Sequence, residues 1–429
     1  MGLINDDLRM YRDALSQELK LSQWYPDSKW ASMIGHIGGT DANGYPKSVS
    51  YGSVQAKTIK GTGKPIEMLT SLDFPGGWAI DVPVKLPLRQ KPIYGDKQAK
   101  DNEEDMNWVY MRGLINQVRY PVKTSDGLMG DQALTPKRLM QIWKNVKSEI
   151  QSVNQRWQGY APYDAIYRGF SDNLFDDPIN ITQKSHPNCY VAGYGRVPFN
   201  SDNDTYETAI VAQLNNLGAE DGLTVQAIRN LTYFGSHHMI VPTVAGNKPV
   251  RGILFVNDAQ MVQLASDPLF EKMAIALITA DGEKSPFFSG FYEAYLIEGV
   301  LILADTNNPG VLISGDSGYD SSRGIINYGN VNPLENPIHA SDIKIAAYVG
   351  ASAILGAHTV PLQFKNRTDD YDNIRGEAGR TVIGYTRADR YDHDNFLAAS
   401  EFLGNTSSQI LFTKTPNSPT WSSGSGSEV

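Results

Sequence analysis

The segment from Arg251 to Val311 constrains the fold of this chain more than any other part of the sequence. Residues 252–256 form a short apolar run, Gly-Ile-Leu-Phe-Val, which is typical of a buried strand. Asn257 follows and can cap the short helix that the next residues predict. A second apolar run at 295–304 is divided by Glu298-Gly299 into two strands joined by a turn. The segment therefore predicts an α/β unit, in which the polar residues form caps and turns.

A long hairpin is predicted in the first third of the chain. Apolar and polar residues alternate from Trp78 to Leu86, which predicts a strand, and Pro83 confines it to a sheet edge because proline has no N–H to donate. The return strand is predicted at about 107–122. Residues 87–106 lie between the two strands, and a loop of this length is uncommon inside a compact domain. We interpret the loop either as a mobile surface segment or as an arm that reaches onto a neighbouring subunit.

A long helix is predicted directly after the hairpin. Thr135 is a favoured N-cap and Pro136 a favoured first helical residue. Apolar residues then recur at spacings of three and four. Gly159 and Pro162 are expected to end or kink this helix, and the apolar stripe from Tyr163 to Leu174 suggests a second one.

Shorter elements are predicted in the rest of the chain. Two amphipathic helices are expected at 205–217 and 224–235. The small residues of 343–357 predict a strand or helix buried against the long helix. Residues 381–385 and 409–412 are typical of strands.

The amino-acid sequence of the segment Arg251–Val311 resembles that of a known family. The runs GILFVNDAQMVQLASDPLF and SPFFSGFYEAYLIEGVLILADTN are similar to the major capsid proteins of tailed phages, in the N-four-type (podophage) branch of the Hong Kong 97-type fold. A hairpin followed at once by a long helix is also the order of the extended loop and spine helix in that fold. The resemblance implies an α+β chain with an N-terminal arm, an extended hairpin loop, a peripheral domain with the spine helix, and an axial α/β domain.

The resemblance also implies domain borders. The composition of the last residues, which include a Ser-Gly-Ser-Gly-Ser run, is that of a flexible tail. The predicted parts are an N-terminal arm at 1–60, the extended hairpin loop at 61–122, the peripheral domain with the spine helix at 123–199, the axial domain at 200–340, the return strands of the peripheral domain at 341–415, and the tail at 416–429.

The function implied by the resemblance is mechanical. Identical subunits would assemble into hexamers and pentamers of an icosahedral shell that encloses double-stranded DNA without sequence specificity. Scaffolding, portal and decoration proteins are the other expected partners, and the protein would belong to the virion capsid after assembly in the host cytoplasm. The net charge of −9 argues against a dedicated nucleic-acid binder. No run of 18 apolar residues is present, so no membrane partner is expected.

No catalytic, cofactor-binding or metal-binding residue is assigned, and no cofactor is expected. Gly315-Asp-Ser-Gly318 has the letters that surround the nucleophile of chymotrypsin-like proteases, but it lies in a turn-rich cluster. The single Cys189 excludes the disulfides of that family. Two alternatives stay open: a serine hydrolase that uses Ser317, and an encapsulin-like compartment of non-viral origin, which shares the capsid fold.

The other polar clusters are predicted to be structural. Adjacent histidines point to different faces and rarely bind one metal ion, and the acidic clusters lack a complete calcium loop. No motif selects a lysine of the hairpin loop for a covalent crosslink. These clusters are His237-His238, Asp369–Asp372, Asp392–Asp394, Gly61–Lys64, and the lysines Lys91, Lys97 and Lys100.

Overall fold

The structure is a computed structural model. The residues that it describes are 29–30, 33–37, 62–70, 79–85, 108–123, 136–170, 186–199, 203–237, 242–245, 248–273, 294–305, 307–308, 310–311, 342–369, 374–391, 402–404 and 407–415. The chain forms two compact units: unit 1 contains Met1–Gln183 and Ser352–Thr406, and unit 2 contains Lys184–Ala351 and Ser407–Val429. No helix in the described part of the chain is long and apolar enough to cross a membrane.

The helices and strands are numbered in chain order. The helices are α1 (Pro136–Arg168), α2 (Asn203–Asn215), α3 (Val225–His237) and α4 (Asp258–Ala265). The strands are β1 (Ile34–Ile37), β2 (Ile66–Thr70), β3 (Ala79–Lys85), β4 (Trp108–Leu114), β5 (Asn116–Lys123), β6 (Cys189–Val191), β7 (Gly195–Arg196), β8 (Thr243–Ala245), β9 (Lys248–Val250), β10 (Gly252–Val256), β11 (Ala294–Ile297), β12 (Val300–Ala304), β13 (Ile343–Val349), β14 (Ile354–Asp369), β15 (Ile374–Arg387), β16 (Arg390–Tyr391), β17 (Phe402–Gly404) and β18 (Ser408–Lys414).

Unit 1 is built on a five-stranded sheet in the order β1-β2-β14-β15-β5. The first three strands are parallel, and the long β14–β15 hairpin and β5 are antiparallel. Helix α1 packs on one face of this sheet. Its Trp157 ring lies 6.2 Å from the ring of Tyr385 on β15, and Gly379 leaves room for Ile150, because a Cβ at that position would collide with its side chain. Strand β1 comes from the predicted N-terminal arm, so part of that arm belongs to the sheet.

The predicted hairpin is present, but the prediction of one continuous return strand was wrong. Strands β3 and β4 pair in a four-stranded sheet of order β17-β16-β4-β3, and Pro83 lies on the edge strand as predicted. The return strand divides at Ile115, and its second half is β5 in the five-stranded sheet. The backbone turns between the sheets because Thr386 Oγ1 accepts a hydrogen bond from the Leu114 amide at 2.8 Å. Gly384 has no Cβ to block the Leu114 carbonyl oxygen.

Helix α1 runs through Gly159 and Pro162, the two residues that were expected to end or kink it, and does not end there. It contains Pro162 and continues to Arg168, so the second predicted helix is the end of the first. Tyr163, Ile166 and Tyr167 are fully buried there. Burial of such side chains contributes about 1.5–3 kcal/mol each, which together exceeds the penalty of about 3 kcal/mol for one proline inside a helix.

Unit 2 is built on a seven-stranded sheet in the order β11-β12-β10-β13-β18-β6-β7. Strands β10 and β12 are parallel neighbours, and both are completely buried. Helices α3 and α4 contribute Ile228, Leu231 and Leu264 to the apolar cluster that covers one face of the sheet. The turn between β11 and β12 has positive φ angles at Glu298 and Gly299, 50° and 86°, as in a two-residue hairpin turn. Strand β10, helix α4 and the strand pair β11–β12 together confirm the prediction for residues 252–304.

Several strands belong to a different sheet from the one that the sequence suggested. Residues 343–357 do not form one segment against α1: β13 is a central strand of the seven-stranded sheet, and Ile354 begins β14. Strand β18, which contains 409–412, pairs with β13 and β6 in unit 2, whereas β15 belongs to unit 1. The unit borders therefore differ from the predicted ones at 200 and 341, because residues 186–199 and 342–350 share the sheet of unit 2.

Some predictions fall on residues outside the described part of the chain. They concern the arm at 1–28, the hairpin loop 87–106, the Gly315–Gly318 motif with Ser317, Asp392–Asp394 and the tail 416–429.

A capping box fixes the start of α4. The Asn257 side chain accepts a hydrogen bond from the Ala259 amide at 3.1 Å, and Gln260 Oε1 accepts one from the Asn257 amide at 2.8 Å. Asn257 Nδ2 also donates to the Asn308 carbonyl at 3.0 Å. Asn308 in turn donates to the carbonyls of Phe255 and Ile345, so the cap is connected to β10 and β13.

We expect Asn257→Ala to lower the unfolding free energy of the unassembled subunit by about 2 kcal/mol, because the cap is lost and a buried carbonyl loses its donor. Urea denaturation followed by fluorescence measures this change. Ser266→Ala is the matched control at the exposed end of the same helix, and its effect should stay within about 0.5 kcal/mol. Equal effects of the two substitutions would contradict the role of the cap.

Candidate functional site

A serine–histidine hydrogen bond in unit 2 has the atoms of a nucleophile and its base. His186 Nε2 lies 2.9 Å from Ser408 Oγ, and both side chains are fully buried. His186 Nδ1 accepts a hydrogen bond from the Asn188 amide at 3.0 Å. The neutral ring therefore carries its proton on Nε2 and donates it to the serine, so it cannot remove the serine proton. The pair is a structural connection to β18.

Two buried ion pairs hold unit 1 together. Lys147 Nζ on α1 lies 3.9 Å from Glu377 Oε1 on β15 and 5.4 Å from the centre of the Phe364 ring on β14. The Arg387 guanidinium binds both carboxylate oxygens of Asp389 and donates to the Ile166 carbonyl of α1. Removal of one partner from such a pair costs about 3–5 kcal/mol. Both pairs connect α1 to the sheet. Their four charged side chains are buried, so they are not accessible to a substrate.

A buried carboxylate organises the place where the chain returns to unit 1. Glu67 on β2 accepts hydrogen bonds from the Thr62 amide at 2.8 Å, from the Thr62 hydroxyl at 2.9 Å and from the Ser352 hydroxyl at 3.2 Å. Burial raises the pKa of Glu67 above its ordinary value, although the hydrogen bonds act in the other direction. Ser352 has a positive φ of 55°, and its amide donates to the Lys64 carbonyl. The carboxylate thus fixes two turns.

No metal centre is formed by the described residues. Among them, no group of three or more His, Cys, Asp and Glu side chains could hold a metal ion. His237 is the last residue of α3, and Thr62 of the Gly61–Lys64 motif donates its amide hydrogen to Glu67. Ser317 is outside the described residues. Of the predicted candidate residues that are described, none are brought together into a reactive site.

The features that remain are surfaces suited to contact with other chains. Strands β3 and β11 have a neighbour on one side only within the described residues, and such edges leave N–H and C=O groups free to pair with another chain. Unit 2 also exposes large apolar side chains, which the sequence analysis did not identify. They are Tyr194, Tyr233, Val262, Leu269 and Leu296.

A partly buried histidine gives unit 1 a defined response to acid. His358 lies on β14 with its Nε2 3.3 Å from the Thr381 hydroxyl. Burial lowers the pKa of His358 from 6.5 to about 4, and the nearby His36 acts in the same direction. The unfolded chain therefore binds a proton between pH 6.5 and about 4 that the folded chain does not bind, so stability is lost as the pH falls through this window.

We expect His358→Gln to flatten the fall in melting temperature between pH 6.5 and 4, because the histidine contributes up to about 3 kcal/mol of this loss. Thermal melting at a series of pH values measures the profile. Thr381→Val removes the same hydrogen bond but no titratable group, so it should shift the profile without flattening it. An unchanged slope in His358→Gln would contradict the assignment.

Comparisons with known proteins give the context for these surfaces. A sequence model described as "Phage capsid protein" matches residues 40–395, which is most of the chain. No curated protein sequence matches the chain.

Solved capsid structures share the fold at low sequence identity. The capsid of Ralstonia phage GP4 has a TM-score of 0.52 and 15% identity, over 82% of this chain and 88% of that chain. The cyanophage Pam1 capsid has a TM-score of 0.53 and 11% identity, over 91% and 93%. The head of Helicobacter pylori bacteriophage KHP40 has a TM-score of 0.54 and 12% identity, over 91% of each chain. The chain thus belongs to the phage capsid protein family, as a major capsid protein with the Hong Kong 97-type fold that builds an icosahedral shell.

Proposed function

We propose that copies of this chain form hexamers and pentamers, and that these tile a shell around double-stranded DNA in the virion. The family match over residues 40–395 is the observation that carries this proposal. We further propose that assembly takes place in the host cytoplasm with scaffolding and portal proteins, and that decoration proteins bind the finished shell. The narrower placement in the podophage branch stays a prediction.

The two units would have different roles in a capsomer. We propose that unit 1 is the peripheral domain with α1 as its spine helix, and that unit 2 is the axial domain, which meets its copies around a symmetry axis. The exposed apolar side chains support this assignment, since those that are strongly exposed among the described residues all lie in unit 2. Identical contacts repeated head to tail close into rings when the rotation between copies closes.

The β3–β4 hairpin would contact a neighbouring subunit. Strand β3 is an edge strand, and Pro83 prevents a further strand from forming a regular ladder there. A contact made by the loop 87–106 beyond the hairpin is consistent with this constraint, because the loop can lie on another subunit without extending the sheet. The N-terminal arm would cross a second neighbour.

Neither alternative function is favoured. The matching family is one of capsid proteins, which are structural. The serine–histidine pair that the structure does contain, His186 and Ser408, is buried and holds its proton in the wrong position for a base. An encapsulin-like compartment would share the fold, but the family model describes a phage protein.

We expect the full chain, expressed with its genomic neighbours, to form closed shells or rings that sedimentation and negative-stain microscopy detect. Replacement of residues 90–105 by a short Gly-Ser linker should stop shell closure, because the contact to the neighbouring subunit is lost. The melting temperature of the unassembled subunit should stay within a few degrees of the wild-type value, since the replacement keeps all of β3 and β4 in the chain.

Two variants serve as controls for this experiment. Ser317→Ala and deletion of 416–429 should both leave shell formation unchanged. A wild-type chain that stays a monomer with its neighbours present would contradict the proposed function. Labelling by a fluorophosphonate probe that disappears in Ser317→Ala would support the hydrolase instead.

A further inference from the structure

One face of the five-stranded sheet in unit 1 carries cations that form no ion pair with the described residues. Residues that are paired across antiparallel strands point to the same face. Gly379 and Glu377 on β15 face α1, where they meet Ile150 and Lys147. Arg380 therefore points to the opposite face.

The pairing register places a second arginine directly beside Arg380. Arg119 on β5 is its partner on one side, and Gln363 on β14 is its partner on the other. Lys365 lies two residues further along β14 and is exposed, as is Arg119. Lys365 and Arg380 are therefore diagonal neighbours, and such residues lie about 7–8 Å apart in an antiparallel sheet. The residues Arg119, Arg380, Gln363 and Lys365 are called the cationic face below.

Among the residues that the structure describes, no carboxylate compensates the cations of this face: Arg119, Arg380 and Lys365 form no ion pair there. Arg119 donates to the Gln117 side chain, at 3.1 Å. The Nε atom of Arg380 is buried and has no hydrogen-bond partner in the described part of the chain. Like charges directly opposite each other destabilise a sheet, and a buried N–H without an acceptor does so as well.

The cationic face differs in charge from the chain as a whole and from the opposite face of the same sheet. The chain as a whole carries a net charge of −9, so a shell wall of average composition would repel a polyanion. On the same strands the acidic Glu377 points to the other face, where it pairs with Lys147. The opposite side thus keeps its cations, which lie on three neighbouring strands. Arginine forks bind phosphate oxygens in pairs, and cations on neighbouring strands can contact successive phosphates of a backbone.

We propose that the cationic face binds phosphates of the DNA that the shell encloses, with Arg119 and Arg380 as the central pair and Lys365 beside them. This inference rests on the proposed function, which supplies the DNA. The contacts are to the backbone and carry no sequence information. A DNA phosphate between the two guanidinium groups compensates their repulsion.

The test measures binding of the full-length unassembled subunit to duplexes of about 20 base pairs at several salt concentrations. Arg119→Gln combined with Arg380→Gln should weaken binding equally for duplexes of different sequence. The slope of log K against log salt should decrease by about 2, since each phosphate contact contributes about 0.9. Lys365→Gln alone should decrease it by about 1. Because Lys365 is exposed, this variant keeps the test decisive if the double variant does not fold.

The matched control is Arg251→Gln combined with Lys272→Gln, which removes two exposed cations of unit 2. It should leave the slope unchanged. Equal losses in both double variants would overturn the proposal, because only the net charge would then matter. Wild-type DNA affinity together with a loss of shell formation in Arg119→Gln/Arg380→Gln would also overturn it, and would assign the face to carboxylates of a second copy. Shell formation by the wild-type chain is scored separately, so failure of the proposed function is recognised independently.

Discussion

The ladder between β13 and β18 is the interaction on which unit 2 depends. It runs from Ile343 opposite Lys414 to Val349 opposite Ser408, and it joins segments that are separated in sequence by Ser352–Thr406 of unit 1. Without β18, strand β6 would have no partner on that side, and the His186–Ser408 hydrogen bond would be lost. Unit 1 is closed in the same way, since β2 pairs with β14 although Lys184–Ala351 of unit 2 lies between them in sequence. Each unit is thus closed by non-local pairing, which forms slowly during folding because loop closure must come first.

The buried polar groups of this protein maintain shape rather than carry out chemistry. Lys147 with Glu377, and Arg387 with Asp389, each fix α1 to the sheet beneath it. Glu67 binds the turn at Thr62 and the turn at Ser352, where the chain enters unit 1 again. Such groups limit how far an element can shift, because a displaced partner would leave an uncompensated charge in the interior. This rigidity suits a subunit that must present the same surfaces many times over.

The sequence was most informative where one local rule decided the outcome. The cap at Asn257, the turn at Glu298-Gly299 and the edge position of Pro83 follow from single residues, and all three were predicted correctly. The prediction of a second helix was wrong because burial lets α1 continue past Pro162, and the position of β13 was wrong because a completely buried strand could lie in either sheet. The cationic face could not be predicted, because Arg119 and Arg380 become neighbours only through the register of β5 and β15. The family resemblance predicted the fold class, whereas the cationic face and the exposed apolar side chains of unit 2 were found only in the structure.

The position of β18 in the order of synthesis has a consequence for quality control. A ribosome makes β6, α3, α4 and β10 to β13 early, but unit 2 cannot close before residues 408–414 have emerged. By then all strands of the five-stranded sheet have been made. A nascent or truncated chain that lacks β18 exposes the edge of β13 to solvent and offers it to chaperones and proteases. Growing shells would therefore receive only subunits whose translation has passed this strand, and incomplete chains would be removed before they could be incorporated.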